Sequence, residues 1–325
     1  MRLLLIFLNE ATEWSYPISC KNIIFAFIIT VNSIVVLANL KNRQQIMVTQ
    51  DNKCNNMPKV SVIMPAYNQA EYIADALDSL LNQTYSNFEV AIVDDGSKDN
   101  VAEIAKRYEE KDNRIKFYHT ENHGVSAARN FAVANTTGEL IIPLDADDIF
   151  RPEYLELCVR QFVENPLTRV AYCEWEYFGT ETHAPKLHYE GYKRLFVHNT
   201  IFCSGMYWRK DFERVGGYDE SMMLGFEDWE FWMRLLDENA VVYQIPRKLF
   251  RYRIKKSSRN VSANSEENLN KGFDYIFQKH RATYDSLYGN ALRNLMHLEY
   301  YKYRNDKWKN RNIFSRLWHA VKGTI

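Results

Sequence analysis

Residues 140–148 read LIIPLDADD, an apolar run that stops abruptly at three closely spaced aspartates. A short apolar run closed by a turn signal is the pattern of a strand buried on both faces. The pattern recurs upstream. Residues 60–65 (VSVIMP) end at Tyr67-Asn68, and residues 88–93 (FEVAIV) end at Asp94-Asp95-Gly96-Ser97. Between these runs, Ile73, Ala76, Leu77, Leu80 and Leu81 recur at helical spacing, which predicts a helix with one face on a sheet. Helices over 99–108 and 125–135 and a strand over 115–119 complete the alternation.

Strands separated by helices of this length imply right-handed crossovers, and hence an α/β fold with a mostly parallel central sheet. Ligands of such sheets bind at the carboxyl ends of the strands. Tyr67-Asn68, Asp94-Asp95 and Asp145–Asp148 all fall there, so three polar clusters share one edge. Asp-x-Asp on the turn after a buried strand suits a hard divalent cation, Mn²⁺ or Mg²⁺. Such ions take one or two protein carboxylates and complete their shell with phosphate and water. Asp147 is the first choice as metal ligand, while Asp145 reaches a ribose or the metal's waters. Taken locally, aspartates also serve turns, and Asp148 reads as the N-terminal cap of a helix beginning near Pro152.

A second carboxylate pair, Glu227-Asp228, lies in GFEDWEFWMRLL. Asp228 opens an amphipathic helix whose apolar residues include Phe231, Trp232, Leu235 and Leu236. A carboxylate at that position is oriented by the helix and kept ionised by its dipole, as a general base requires, although an ordinary cap looks the same. Trp229 and Trp232 suit either sugar stacking or core packing.

In order along residues 58–259 stand VSVIMPAYNQAEYIADALDSLLNQTY, VDDGSKDN, ENHGVSAARNFAVANTTGELIIPLDADDIFRPEYL, FERVGGYDE and GFEDWEF. This ordered set closely resembles the family 2 glycosyltransferases, which have the GT-A, Rossmann-like nucleotide-diphospho-sugar transferase fold. The resemblance implies inverting transfer of a sugar from a nucleotide-diphosphate donor, usually a UDP-sugar, to a hydroxyl of a glycan or lipid-linked acceptor. It implies that Pro65, Ala66 and Tyr67 line the base pocket and that Asp95 bonds the base. Asp145 would hold the ribose, Asp147 the metal, and Asp228 would be the base, with Glu227 beside it touching acceptor or sugar. Arg129 and Asn130 belong to the family's A-R-N segment and read as partly structural, tying helix to strand.

One position departs from the family. Where many members carry Tyr-Arg-x-His, this chain has Tyr252-Arg253-Ile254-Lys255. A protonated lysine cannot ligate a metal, yet it neutralises phosphate charge, so Lys255 is expected to contact the donor's diphosphate.

The flanks read differently. Residues 1–56 form an N-terminal extension in which 23–40 (IIFAFIITVNSIVVLANL) approach the roughly 20 apolar residues of a spanning helix. Lys41 and Arg43 after it would leave the following domain on the cytoplasmic side. A loosely attached extension or an over-extended reading frame before Met57 are the other readings of this segment. Residues 57–260 are the expected catalytic domain. Residues 261–325 read as a helical region whose end, YYKYRNDKWKNRNIFSRLWHAVKGTI, interleaves basic and aromatic residues as an anionic membrane surface would favour. These flanks lead us to expect the chain on the cytoplasmic side, associated with or anchored to the inner membrane, and the family resemblance implies a part in surface polysaccharide synthesis.

Composition narrows the alternatives. The 325 residues carry 41 basic and 41 acidic side chains, so no global charge points to nucleic acid. Five cysteines without zinc spacing fit buried thiols in a reducing compartment. A sugar nucleotidyltransferase would need a glycine-rich loop with a basic residue where this chain has PAYNQAEY. A non-catalytic nucleotide-sugar or glycan-binding relative would have no need to keep Asp145, Asp147 and Asp228 together. His198 is a further substrate-contact candidate in the 170–225 region, whose fold the pattern leaves open.

Overall fold

A computed structural model of the chain describes residues 57–223, 225–255 and 265–289, together with 296 and 300. The chain divides into two units, Met1–Met57 and Pro58–Ile325, and the elements below belong to the second. The apolar segment 23–40 and the basic stretch after 300 lie outside the described residues. Among the described residues no helix is long and apolar enough to cross a membrane.

The strands are β1 (Val60–Ala66), β2 (Phe88–Asp95), β3 (Ile115–Thr120), β4 (Leu140–Pro143), β5 (Ile149–Phe150), β6 (Thr168–Gly179), β7 (Met206–Trp208) and β8 (Val241–Ile254). They form one sheet in the order β3-β2-β1-β4-β7-β6-β8-β5. The first four pair in parallel, as the alternation predicts, and β6 pairs in parallel with β8. β7 is antiparallel between β4 and β6, and β5 is antiparallel to β8. The sheet is therefore mostly parallel. β6 and β7 also give a fold to part of the 170–225 region, with register breaks around Cys173–Trp175 that bend β6 against β8.

The local reasons are visible in the sequence. All seven β1 side chains are buried, because the sheet is covered on both faces. Helix α1 (Ile73–Leu81) buries Ile73, Ala76, Leu77 and Leu80 completely. Each of its larger apolar side chains contributes about 1.5–3 kcal/mol of transfer free energy. Helix α2 (Val101–Lys111) follows β2, and α3 (Val125–Ala134) crosses β1 and β2. Gly138 admits β4 beside β1: a Cβ there would lie 2.6 Å from the Ser61 hydroxyl and 2.7 Å from its backbone nitrogen.

Helix α4 (Tyr154–Glu164) corrects one expectation. Its N-cap is Glu153, without a side-chain cap. Asp148 does not cap it; its buried carboxylate accepts the Arg253 backbone N–H at 2.8 Å instead. The pairing of β5 with β8 brings that N–H into reach, a long-range partner that local turn statistics do not see.

After the short α5 (Tyr192–Leu195) and α6 (Arg209–Val215), α7 (Glu227–Leu235) runs into the core. Trp229 and Trp232 on it are core residues, their indole N–H groups donating to the carbonyls of Leu195 at 2.6 Å and Ile201 at 3.1 Å. Helices α8 (Glu266–Lys279) and α9 (Arg281–Tyr288) follow. Charge ties α8 to α7. Buried Glu230 accepts from Arg234 at 2.7 Å, pairs with Lys279 at 2.9 Å and meets His280 Nε2 at 3.0 Å.

Candidate active site

The carboxyl ends of β1, β2 and β4 and the end of β8 surround a cleft of about 310 Å³. Pro65, Ala66, Tyr67, Asp95, Asp145, Asp147 and Lys255 all line it, so the candidate donor residues named from the sequence converge. Tyr67 is the exposed wall, at 44% of its surface, available for stacking.

Asp95 is held before any ligand arrives. Its two oxygens accept the backbone N–H groups of His123 at 2.8 Å and Gly124 at 2.9 Å. Gly124 caps α3 with a φ of 90°, a conformation that favours glycine, and this turn aims its N–H at Asp95. The neighbouring Asp94 faces the other way, accepting from Ser97 N at 2.9 Å and meeting His119 Nδ1 at 2.9 Å.

A buried guanidinium joins the two carboxylate clusters. Arg129, 1% exposed, donates to Asp145 Oδ1 at 2.8 Å and to Glu227 Oε1 at 3.1 Å. Burial alone would favour its neutral form, but those two carboxylates hold its pKa well above the ordinary value. Among the described residues its Nε is buried without a partner, and its guanidinium lies 5.4 Å from the centre of the Tyr218 ring. The sequence reading missed this role. The signal was a single arginine on the buried face of α3, which also carries Ala128, Ala132 and Val133.

Asp228 follows Glu227 on the first turn of α7 and is partly exposed. Its carboxylate accepts Trp229 N at 2.8 Å and Asn199 Nδ2 at 3.2 Å. Burial, and then the charge of Glu227, push its pKa up to about 6, against the lowering pull of Arg129 and these two donors. A carboxylate poised near neutrality and ionised above that value is what proton abstraction from a hydroxyl requires. Asn199 rather than the exposed His198 is the loop residue that reaches it.

The turn before α7 is strained. Phe226, its N-cap, has a φ of 65°, unusual for a bulky side chain. Its ring is braced by Phe273 at 5.3 Å and Trp229 at 6.0 Å, and it packs so closely on α8 that a Cβ on Gly272 would lie 2.6 Å away.

On the opposite wall, Lys255 Nζ lies 2.5 Å from Asp147 Oδ2 and 3.0 Å from Gln69 Oε1. Arg253 donates to the Asp147 carbonyl at 2.8 Å. Burial raises the Asp147 pKa despite Lys255, and it drives buried Asp148 well above its usual range, helped by the charges of Asp147 and Asp145. Among the described residues no group of three or more His, Cys, Asp or Glu could hold a metal alone. Asp145 and Asp147 thus fit a hard cation only as the protein's share of a shell that phosphate and water would complete.

Residues 61–229, just over half of the chain, match the family described as Glycosyl transferase family 2. The chain belongs to that family. Among similar proteins, glycosyltransferase GlyA of Streptococcus pneumoniae is 30% identical over 266 residues, covering 73% of this chain and 38% of its own length. Hyaluronan synthase of Pasteurella multocida is 36% identical over 129 residues, 40% of this chain and 13% of its own. The chain spans well under two thirds of either relative. Among solved structures, Staphylococcus aureus TarS with UDP-GlcNAc superposes with a TM-score of 0.56 at 20% identity, over 73% of this chain and 77% of that one. A mannosyltransferase from Pyrobaculum calidifontis, with GDP-Man and Mn²⁺, gives 0.54 at 20% identity, over 70% and 65%. These likenesses establish the GT-A fold.

Proposed function

We propose that this family 2 protein is an inverting glycosyltransferase that moves a hexosyl group from a UDP-sugar to a hydroxyl of a glycan or lipid-linked acceptor. The observation that carries the reading is the chain Asp145–Arg129–Glu227, which ties the nucleotide cleft to a carboxylate, Asp228, poised near neutrality. In this reading Pro65, Ala66 and Tyr67 hold the base face, Asp95 accepts from the base, and Asp145 takes the ribose. Asp228 removes the acceptor proton as the hydroxyl oxygen attacks the anomeric carbon from the side opposite the leaving diphosphate, inverting the centre. Glu227, fixed by Arg129, orients acceptor or sugar. Asp147 and Asp145 would hold a Mn²⁺ or Mg²⁺ ion, which would supply Lewis-acid charge to the diphosphate leaving group. The UDP-GlcNAc bound by TarS and the Mn²⁺ bound by the mannosyltransferase support donor and metal by analogy. The hyaluronan synthase relative supports a role in surface polysaccharide synthesis. Action at the cytoplasmic face of the inner membrane rests on the sequence of 23–40 and of the basic C-terminus.

Release of free nucleotide from a panel of UDP-, GDP- and dTDP-sugars, with Mn²⁺, Mg²⁺ or EDTA and candidate acceptors, tests this. One donor is expected to turn over, with a loss of about 100-fold or more in Asp228→Asn and donor binding retained. Full turnover by Asp228→Asn would overturn the assignment of the base. Donor binding without turnover by any acceptor would identify a binding module.

A further inference from the structure

Each of the two aspartates flanking Ala146 already carries a cation of the protein itself. Arg129 is on Asp145 at 2.8 Å, and Lys255 is on Asp147 at 2.5 Å. The second pair is the unusual one. Lys255 rises from the end of β8 with its ammonium 5.1 Å from the centre of the Tyr72 ring, and Gln69 accepts a further bond at 3.0 Å. Its side chain is 14% exposed and that of Asp147 is 18% exposed, so water screens the pair only weakly. An ammonium has three donors and no lone pair; it cannot share a metal's shell. A divalent ion arriving at the same oxygen of Asp147 would meet a like charge at contact distance.

We infer that Lys255 is an internal counter-cation that closes the Asp147 position to free divalent ions until a nucleoside diphosphate draws it away. The inference rests on the reading of the cleft as a nucleoside diphosphate site, and it adds an order of events to that reading. A diphosphate offers Lys255 a stronger, multiply charged acceptor. It also brings the oxygen ligands that the described residues do not supply in a group of three. Metal and nucleotide then bind together, and Asp147 exchanges one cation for another. Charge, rather than the shape of the side chain, does the excluding.

The test measures Mn²⁺ binding by electron paramagnetic resonance, with and without UDP, on the full chain and its Lys255→Met and Lys255→Arg variants. Methionine keeps much of the side-chain length and apolar bulk without charge. The wild type is expected to bind Mn²⁺ at least about tenfold more weakly without UDP than with it. Lys255→Met should bind Mn²⁺ alone at least about tenfold more tightly than the wild type, and Lys255→Arg should match the wild type. Lys255→Gln gives the same readout if the methionine variant does not fold. Equal Mn²⁺ affinity of the wild type and the uncharged variant without UDP overturns the inference, as does wild-type Mn²⁺ binding that ignores UDP. UDP binding followed by calorimetry separates the two levels. UDP bound with Mn²⁺ affinity unmoved by the substitution sinks only the counter-cation. Absence of UDP binding under every metal condition sinks the reading of the cleft, and the inference with it.

Discussion

Arg129 holds Glu227 at 3.1 Å through one terminal nitrogen and Asp145, on the wall of the cleft, at 2.8 Å through the other. Removing one partner of a buried ion pair leaves charge stranded, at a cost of about 3–5 kcal/mol. Arg129→Met should therefore lower the melting temperature by about 10 °C. Because the charge of Arg129 also lowers the Asp228 pKa, the acid limb of kcat/KM should move to higher pH in Arg129→Met, and less so in Arg129→Lys, which keeps a positive charge. A merely structural arginine would change stability and leave the pH profile in place.

With Asp228 raised to about 6, kcat/KM should rise through a single acid limb near that pH as the carboxylate forms. Glu227 is the largest charge acting to raise it, so Glu227→Gln should shift the limb to lower pH even as turnover falls. A pH–rate profile of wild type and variant measures both. A limb unmoved by the substitution would remove Asp228 from the role.

Donor affinity measured in EDTA tests the proposed contact of Lys255 with phosphate apart from any metal. Lys255→Ala should weaken UDP binding there by about tenfold, the worth of one charge-assisted hydrogen bond. Unchanged affinity would show that Lys255 serves Asp147 alone.

Glu230 links stability to pH. Burial acts to raise its pKa, but His280, Arg234 and Lys279 outweigh that and hold it at about 2, below the ordinary 4.5. A depressed carboxylate contributes stability that is fully present above the unfolded value and lost as pH falls through the folded one. The interval from about 4.5 down to about 2 should thus remove roughly 3 kcal/mol. Amide exchange in α8 on acidification reads this directly, and Glu230→Gln should flatten the dependence.

Some of this was legible in the chain and some was not, for a definite physical reason. Buried parallel strands announce themselves as apolar runs, and their carboxyl ends carry the polar residues, so Tyr67, Asp95, Asp145 and Asp147 could be named before the fold was known. Periodicity shows which face of α3 is buried, but not what lies across it, so from sequence Arg129 reads as a tie between helix and strand while its partner is Glu227. Asp148 was misread because a turn aspartate has a ready local explanation, while its actual partner, the Arg253 N–H, arrives through the β5–β8 pairing. Asn199, Phe226 and Gly272 carry no pattern of their own; only their contacts give them a part.

The packing of Phe226 against Gly272 makes the protein less modular than the extent of its family match suggests. The matched residues end at 229, yet the turn that presents Glu227 and Asp228 is propped from beyond that limit, by α8. A chimera that transplanted only the matched portion would lose Tyr252, Arg253 and Lys255 from the wall of the cleft and bring the two carboxylates without the helix that shapes their turn. Phe226 on one side of that limit and Gly272 on the other consequently have to change together, so any exchange that keeps this turn in shape has to carry α8 with it.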